Sequence, residues 1–116
     1  MREKIRDRER LLHMVEAIDK IDSAQSRYPE EALTSDPILF YGMVKCLEII
    51  GEAAYKLTES TRSSHPEIPW SAVIGMRHVL VHGYYQIKAE RILATIETDL
   101  LPLRSSLTEI LKTFTD

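Results

Sequence analysis

An all-α, up-and-down four-helix bundle with a proline-kinked last helix is the fold this sequence predicts. Two observations predict it. Apolar residues recur at spacings of three and four through four separate stretches, and no alternating strand pattern of any length occurs. Four of the five prolines fall at or between the ends of those stretches, as punctuation should. At 116 residues, one domain spanning 1–116 with one core is expected.

The first helix is predicted over residues 3–27. Leu11, Met14, Val15, Ile18 and Ile21 form its apolar face, while its charged start reads as solvated or frayed. Tyr28 to Ser35 carries Pro29 and reads as a connection with room for one helical turn. Asp36-Pro37 then supplies a capping carboxylate followed by proline at the first helical position. The second helix is expected to run to about Ser60. Leu39, Met43, Cys46, Ile50, Ala53 and Leu57 give it a seam suited to a near-parallel neighbour.

Thr61 to Ile68 is polar, contains Pro66, and reads as a loop. Pro69 and Trp70 open a short third helix that stops near Gly83. The last helix starts near Lys88. Ile92, Ile96, Leu100, Leu103, Leu107, Ile110 and Phe114 hold one helical phase through Pro102, which favours one kinked helix over two.

Composition narrows the function. Hydrophobic residues at 44% and charged residues at 28% are ordinary for a water-soluble domain. No apolar run reaches membrane-spanning length, and the charged start is unlike a signal peptide, so a cytoplasmic protein with no membrane contact is expected. Cys46 is the single cysteine, which excludes a disulfide framework and a thiolate metal cluster. A net charge of −3 argues against broad electrostatic capture of nucleic acid, so any RNA contact should be local.

The run Met76-Arg77-His78-Val79-Leu80-Val81-His82-Gly83-Tyr84 carries the chemistry. An imidazole moves a proton and a guanidinium neutralises phosphoryl charge, which together suffice to cut or bind a phosphodiester. On an ideal helix Val73, Met76, Leu80, Val79 and Ala72 share one side, and Trp70, Ile74 and Val81 extend the arc. Arg77 falls inside that arc and therefore needs a partner, for which Glu48 or Glu52 of the second helix would serve. Arg77 and His82 lie about 140° apart around the axis, with about 7.5 Å of rise between them. Either the arginine stem swings toward the histidine, or the site is completed by a second copy across a two-fold axis. The width of the apolar arc favours the second copy.

Plainer readings stand beside this one. An arginine and a histidine on one helix are more often structural than chemical. His78 and His82 have a metal-ligand spacing, but no acidic residue lies between them in the metalloprotease pattern, so no metal site is assigned. His13 and His65 read as bystanders, and Glu48, Glu52 and Lys45 as a solvated or ion-pairing face.

Arg77-x4-His82-x-Tyr84 resembles the R-x4-H-x-Y motif of the HepT-like toxins, a branch of the HEPN superfamily. Leu47-Glu48-Ile49-Ile50-Gly51-Glu52-Ala53-Ala54 is similar to the family's second-helix block. Pro66-Glu67-Ile68-Pro69-Trp70, Gly75-Met76-Arg77 and Leu100-Leu101-Pro102-Leu103 resemble its loop, its third helix and its proline-bearing last helix. The likeness covers nearly the whole chain. The position after the motif arginine, often asparagine in the family, is His78 here, placed as a supporting residue.

The resemblance implies a HEPN-like helical homodimer with paired motifs lining a cleft. It implies a metal-independent endoribonuclease toxin without cofactor, with Arg77 and His82 catalytic. It also implies a partner, a minimal nucleotidyltransferase antitoxin that transfers AMP to Tyr84. The alternative is a noncatalytic helical module that binds such a nucleotidyltransferase and presents or gates its substrate. A purely dimerising bundle is a third reading.

Overall fold

Among the described residues, four long helices and two short ones follow one another, the long ones in the predicted order. The computed structural model describes the backbone of residues 2–114 and the side chains of residues 6–114. Helix α1 spans Arg2–Arg27, α2 Glu30–Ser35, α3 Pro37–Lys56, α4 Glu59–Ser64, α5 Trp70–His82 and α6 Ala89–Leu111. A single 3-10 turn, Tyr84–Gln86, joins the last two. Among the described residues there is no strand. Among those residues, too, no helix is long and apolar enough to cross a membrane.

Helix α3 lies at the centre, with α1 on one side and α5 on the other, and α6 packs on α1. The predicted face of α1 is buried throughout: Leu11, Met14, Ile18 and Ile21 are sealed from solvent. Each such side chain contributes about 1.5–3 kcal/mol through removal from water. In α3, Met43, Ile50, Ala53 and Leu57 of the expected seam are buried, but Leu39 and Cys46 are only partly so. Val44, Leu47, Gly51 and Ala54 are buried as well. A two-sided helix needs this wider face, because a single seam would serve one neighbour only.

The Asp36 carboxylate accepts from the backbone N–H groups of Ile38 (2.9 Å) and Leu39 (3.2 Å), so the predicted cap is made. Helix α6 is continuous through the exposed Pro102. Proline cannot donate to the Thr98 carbonyl, and the exposed position leaves that carbonyl near water. Arg104 of α6 grips Asp19 of α1 through Nε (2.7 Å) and Nη2 (3.3 Å). The hydrogen bonds and charge of Asp19 raise the Arg104 pKa further.

Two boundaries differ from the sequence expectation. The second helix stops at Lys56 rather than near Ser60, and the stretch read as a loop contains α4. The cause lies in α1. Asp7 is 2% exposed. Its carboxylate accepts from the Thr58 backbone N–H (3.0 Å), the Thr58 hydroxyl (2.7 Å) and the Thr61 hydroxyl. Thr58 in turn caps α4 by accepting from the Thr61 N–H. Leu57 adopts an extended conformation between the helices and keeps its side chain in the core. Asp7 is the exception to the reading of the charged start as solvated, since Arg6, Arg8 and Glu9 are exposed. Residues 1–5 of that start lie outside the described side chains.

Replacing Asp7 with alanine strands two hydroxyls and one backbone N–H, so Asp7→Ala should lower stability by about 1–3 kcal/mol. Urea denaturation followed by circular dichroism should show a lower midpoint at an unchanged slope. A loss below about 0.5 kcal/mol would show that Asp7 is not the anchor of this junction.

Candidate active site

Helix α5 carries the motif, and its position depends on one small residue. Gly51 of α3 faces α5 so closely that an added methyl would overlap Arg77 Cβ and sit 3.0 Å from the Val73 carbonyl oxygen. Glycine lets the two backbones approach, which presses the Arg77 stem onto α3. Trp70 anchors the other end of α5: it is buried, and its indole Nε1–H donates to the His65 carbonyl (3.0 Å). His65 also lies 3.5 Å from the Glu67 carboxylate.

Arg77 faces inward, as its place in the apolar arc requires, and its partner is Glu52. Arg77 Nε lies 2.7 Å from Glu52 Oε1, and Lys56 holds the other carboxylate oxygen at 3.4 Å. Oε1 is buried, yet no donor is aligned to it as a hydrogen bond, so the pair is close but imperfectly directed. Glu48 is instead 3.8 Å from Lys45.

The outer face of α5 is different. His78 and His82 are exposed, with ring centroids 4.6 Å apart and planes tilted by 48°. Among the described residues no group of three His, Cys, Asp or Glu is placed to hold a metal ion. Gly83 ends the helix at φ −102°, its N–H donating to the Val79 carbonyl at 2.7 Å. A Cβ there would meet that oxygen at 2.8 Å, so close approach requires the glycine. Tyr84 and Tyr85 follow, 70% and 73% exposed, in edge-to-face contact.

Val79 and Ala72, members of the apolar arc, are exposed, Val79 by 61%. Only Trp70, Val73 and Leu80 of α5 are fully buried, because α5 packs on α3 and leaves its far side bare. A single protomer does not bring Arg77 and His82 together. The cleft that receives Arg77 reaches Val81 but not His82, as the angular separation on one helix dictates. His13, read as a bystander, lines that same cleft with Arg10, Lys45 and Lys56. Sequence reasoning missed this grouping because its members come from three helices. The signal available was the shared helical face of Lys45, Glu48, Glu52 and Lys56.

A second cleft, about 480 Å³, separates α5 from α6 and is lined by Ile50, Ala72, Val73, Met76, Leu100 and Leu103. Glu67 and Asp99 stand among its otherwise largely apolar walls. Cys46 is unsuited as a nucleophile: burial pushes its thiol pKa up, against a smaller opposing pull from Lys20. Of the residues singled out by the sequence, His78 and His82 stand on the outer face of α5, and Arg77 opens into the polar cleft beneath it.

A family model described as ribonuclease HepT-like matches residues 14–110. A protein of Caldanaerobacter subterraneus subsp. tengcongensis named as an RNase is 37% identical over 82 residues, covering 71% of this chain and 73% of that protein. A protein of Thermococcus cleftensis named probable ribonuclease HepT is 28% identical over 99 residues, covering 85% and 90%. A protein of Methanocaldococcus jannaschii named as an RNase is 28% identical over 102 residues, covering 88% and 84%. No solved structure matches the chain.

The two glycines of α3 provide a test with opposite signs. Gly51→Ala must push α5 away and should cost about 1–3 kcal/mol. A methyl added at Gly42 would meet no atom within 4 Å. Gly42→Ala should therefore stabilise by up to about 1 kcal/mol through helix propensity alone. Thermal denaturation of both variants checks the pair; equal effects would mean that α3 and α5 do not approach as described.

Proposed function

This chain belongs to the ribonuclease HepT-like family, and from that premise we propose that it is a metal-independent endoribonuclease toxin silenced by adenylylation of Tyr84. The observation that carries the reading is the placement of the motif. It occupies the last turns of α5 and the turn beyond it, with the imidazole of His82 and the phenol of Tyr84 both standing in solvent.

RNA brings its own nucleophile, the ribose 2′-hydroxyl. His82 takes the proton as the 2′-oxygen attacks phosphorus, for imidazole is the side chain that ordinarily exchanges protons near neutral pH. Arg77 stabilises the extra negative charge of the phosphorane through parallel N–H donors. The bond to the 5′-oxygen then breaks, and that oxygen takes a proton from an acid. The products are a 2′,3′-cyclic phosphate and a 5′-hydroxyl. In this scheme the acid is His82 of a second copy, and His78 supports the imidazole that it lies against.

A second copy also answers the divergence of Arg77 and His82 within one protomer. Pairing across a two-fold axis would set the arginine of one chain against the histidine of the other. The bare side of α5, with Ala72, Gly75 and Val79 exposed, is the face available for such a homodimer.

Silencing follows from the same placement. The Tyr84 oxygen attacks the α-phosphate of ATP held by a minimal nucleotidyltransferase antitoxin, pyrophosphate leaves, and the phenolic proton goes to solvent. The attached AMP sets a phosphate and an adenine beside the histidines and blocks access by charge and bulk. Tyr85 is equally exposed, so the motif rather than accessibility selects Tyr84.

The alternative, a noncatalytic module that docks a nucleotidyltransferase, draws support from the Arg77–Glu52 pair, which occupies the arginine within a single protomer. A cleavage assay separates the two. RNA cutting by the purified chain should persist with chelator and fall by at least about a hundredfold in His82→Ala. Full activity of that variant, or loss with chelator, would overturn the mechanism. Incubation with the antitoxin and ATP should label wild-type chain and not Tyr84→Phe.

A further inference from the structure

Beneath α5, three helices direct basic side chains into one cleft of about 480 Å³. Helix α1 supplies Arg10 and His13, one turn apart. Helix α3 supplies Lys45 and Lys56, with Glu48 and Glu52 between them, and α5 supplies Arg77. Ile49, Ala53 and Val81 complete the lining and are apolar. Four permanent cations thus face two carboxylates, in a chain whose overall charge is −3. We propose that this cleft is a phosphodiester-binding subsite that holds the RNA backbone beside the phosphate to be cut. The inference rests on the ribonuclease reading for its ligand class.

Unmet bonding capacity supports an anionic occupant. Arg10 Nε is buried and has no acceptor among the described residues, so the site withholds water from a donor without satisfying it. Its own carboxylates do not fill the gap. Glu52 is shared between Arg77 and Lys56, and its buried Oε1 makes a close contact to Arg77 without hydrogen-bond alignment. The Lys45–Glu48 pair, at 3.8 Å with the lysine side chain 70% exposed, is loose enough to release its ammonium. A phosphate oxygen entering the cleft would offer Arg10 its missing acceptor and Arg77 a better-directed one.

Geometry makes the subsite an extension of the proposed active site. Arg77 is the one motif residue that reaches the cleft, so a phosphate held by Arg77 would place its neighbour toward Arg10 and Lys45. Backbone phosphates carry no base identity, so these contacts would add affinity without sequence preference. Glu48 and Glu52 would keep that affinity modest, which suits an enzyme that must release its product.

The test is binding of a short, fluorescein-labelled single-stranded 2′-O-methyl RNA to the full chain, followed by anisotropy across a salt series. This RNA lacks the free 2′-hydroxyl and cannot be cut by the proposed route. Arg10→Gln and Lys45→Gln should each weaken binding roughly five- to tenfold and flatten the slope of log Kd against log salt by about 0.7. Glu48→Gln should tighten it severalfold. Lys112→Gln, which removes the same charge at the far end of α6, should change it by less than about twofold. Lys45 is exposed, so its variant reports even if Arg10→Gln fails to fold.

Binding losses no larger than that of Lys112→Gln, no binding by the wild-type chain, or equally tight binding of a glutamate-rich peptide at matched charge would each overturn the subsite. Assaying cleavage of unmodified RNA in parallel keeps the two readings distinct. Cleavage with binding indifferent to Arg10 and Lys45 removes the subsite and spares the ribonuclease. Binding through the cleft without any cleavage does the reverse.

Discussion

The approach of α5 to α3 at Gly51 is the constraint on which the site depends. Because Gly51 has no side chain, the Arg77 stem lies against α3 and its guanidinium emerges beside the next residue, Glu52. A bulkier residue would separate the helices and move the arginine away from both its carboxylate and the cleft. The central position of α3 adds to this dependence, since it is buried against α1 and α5 together. Placing a cation on a helix face of this kind is costly unless a carboxylate accompanies it, and α3 supplies one from the adjacent position.

That arrangement leaves the motif divided. Arg77 belongs to the inner surface of α5 and His82 to the outer, a consequence of five residues on a helix of 3.6 per turn. In the proposed reading the histidine meets an arginine across a boundary, with a second copy or with a bound strand that spans both surfaces. The exposed Ala72, Gly75 and Val79 fit the first route, being small or apolar and unpartnered in the single chain. The cleft fits the second, because Arg77 opens into it.

Electrostatics reconcile an acidic chain with an anionic substrate. At physiological ionic strength charges separated by more than about 8 Å are largely screened, so a substrate responds to its immediate surroundings rather than to net charge. Arg10, Lys45, Lys56 and Arg77 outnumber the carboxylates locally, while acidic residues such as Asp22, Glu30 and Glu31 lie on other surfaces.

The residue order alone determined the four long helices, the Asp36 cap, the continuity of α6 through Pro102 and the core of α1, because periodicity and capping act over a few residues. It also singled out Arg77 as needing a counter-ion and offered Glu52 as one of two choices. Only tertiary structure decided the break after Lys56, since Asp7 reaches Thr58 across 51 positions. It likewise decided which part of the α5 arc stays bare, and that His13 and Arg10 share a cleft with Arg77. Such outcomes depend on how helices distant in the chain come to lie against one another, and a local pattern carries no record of that distance.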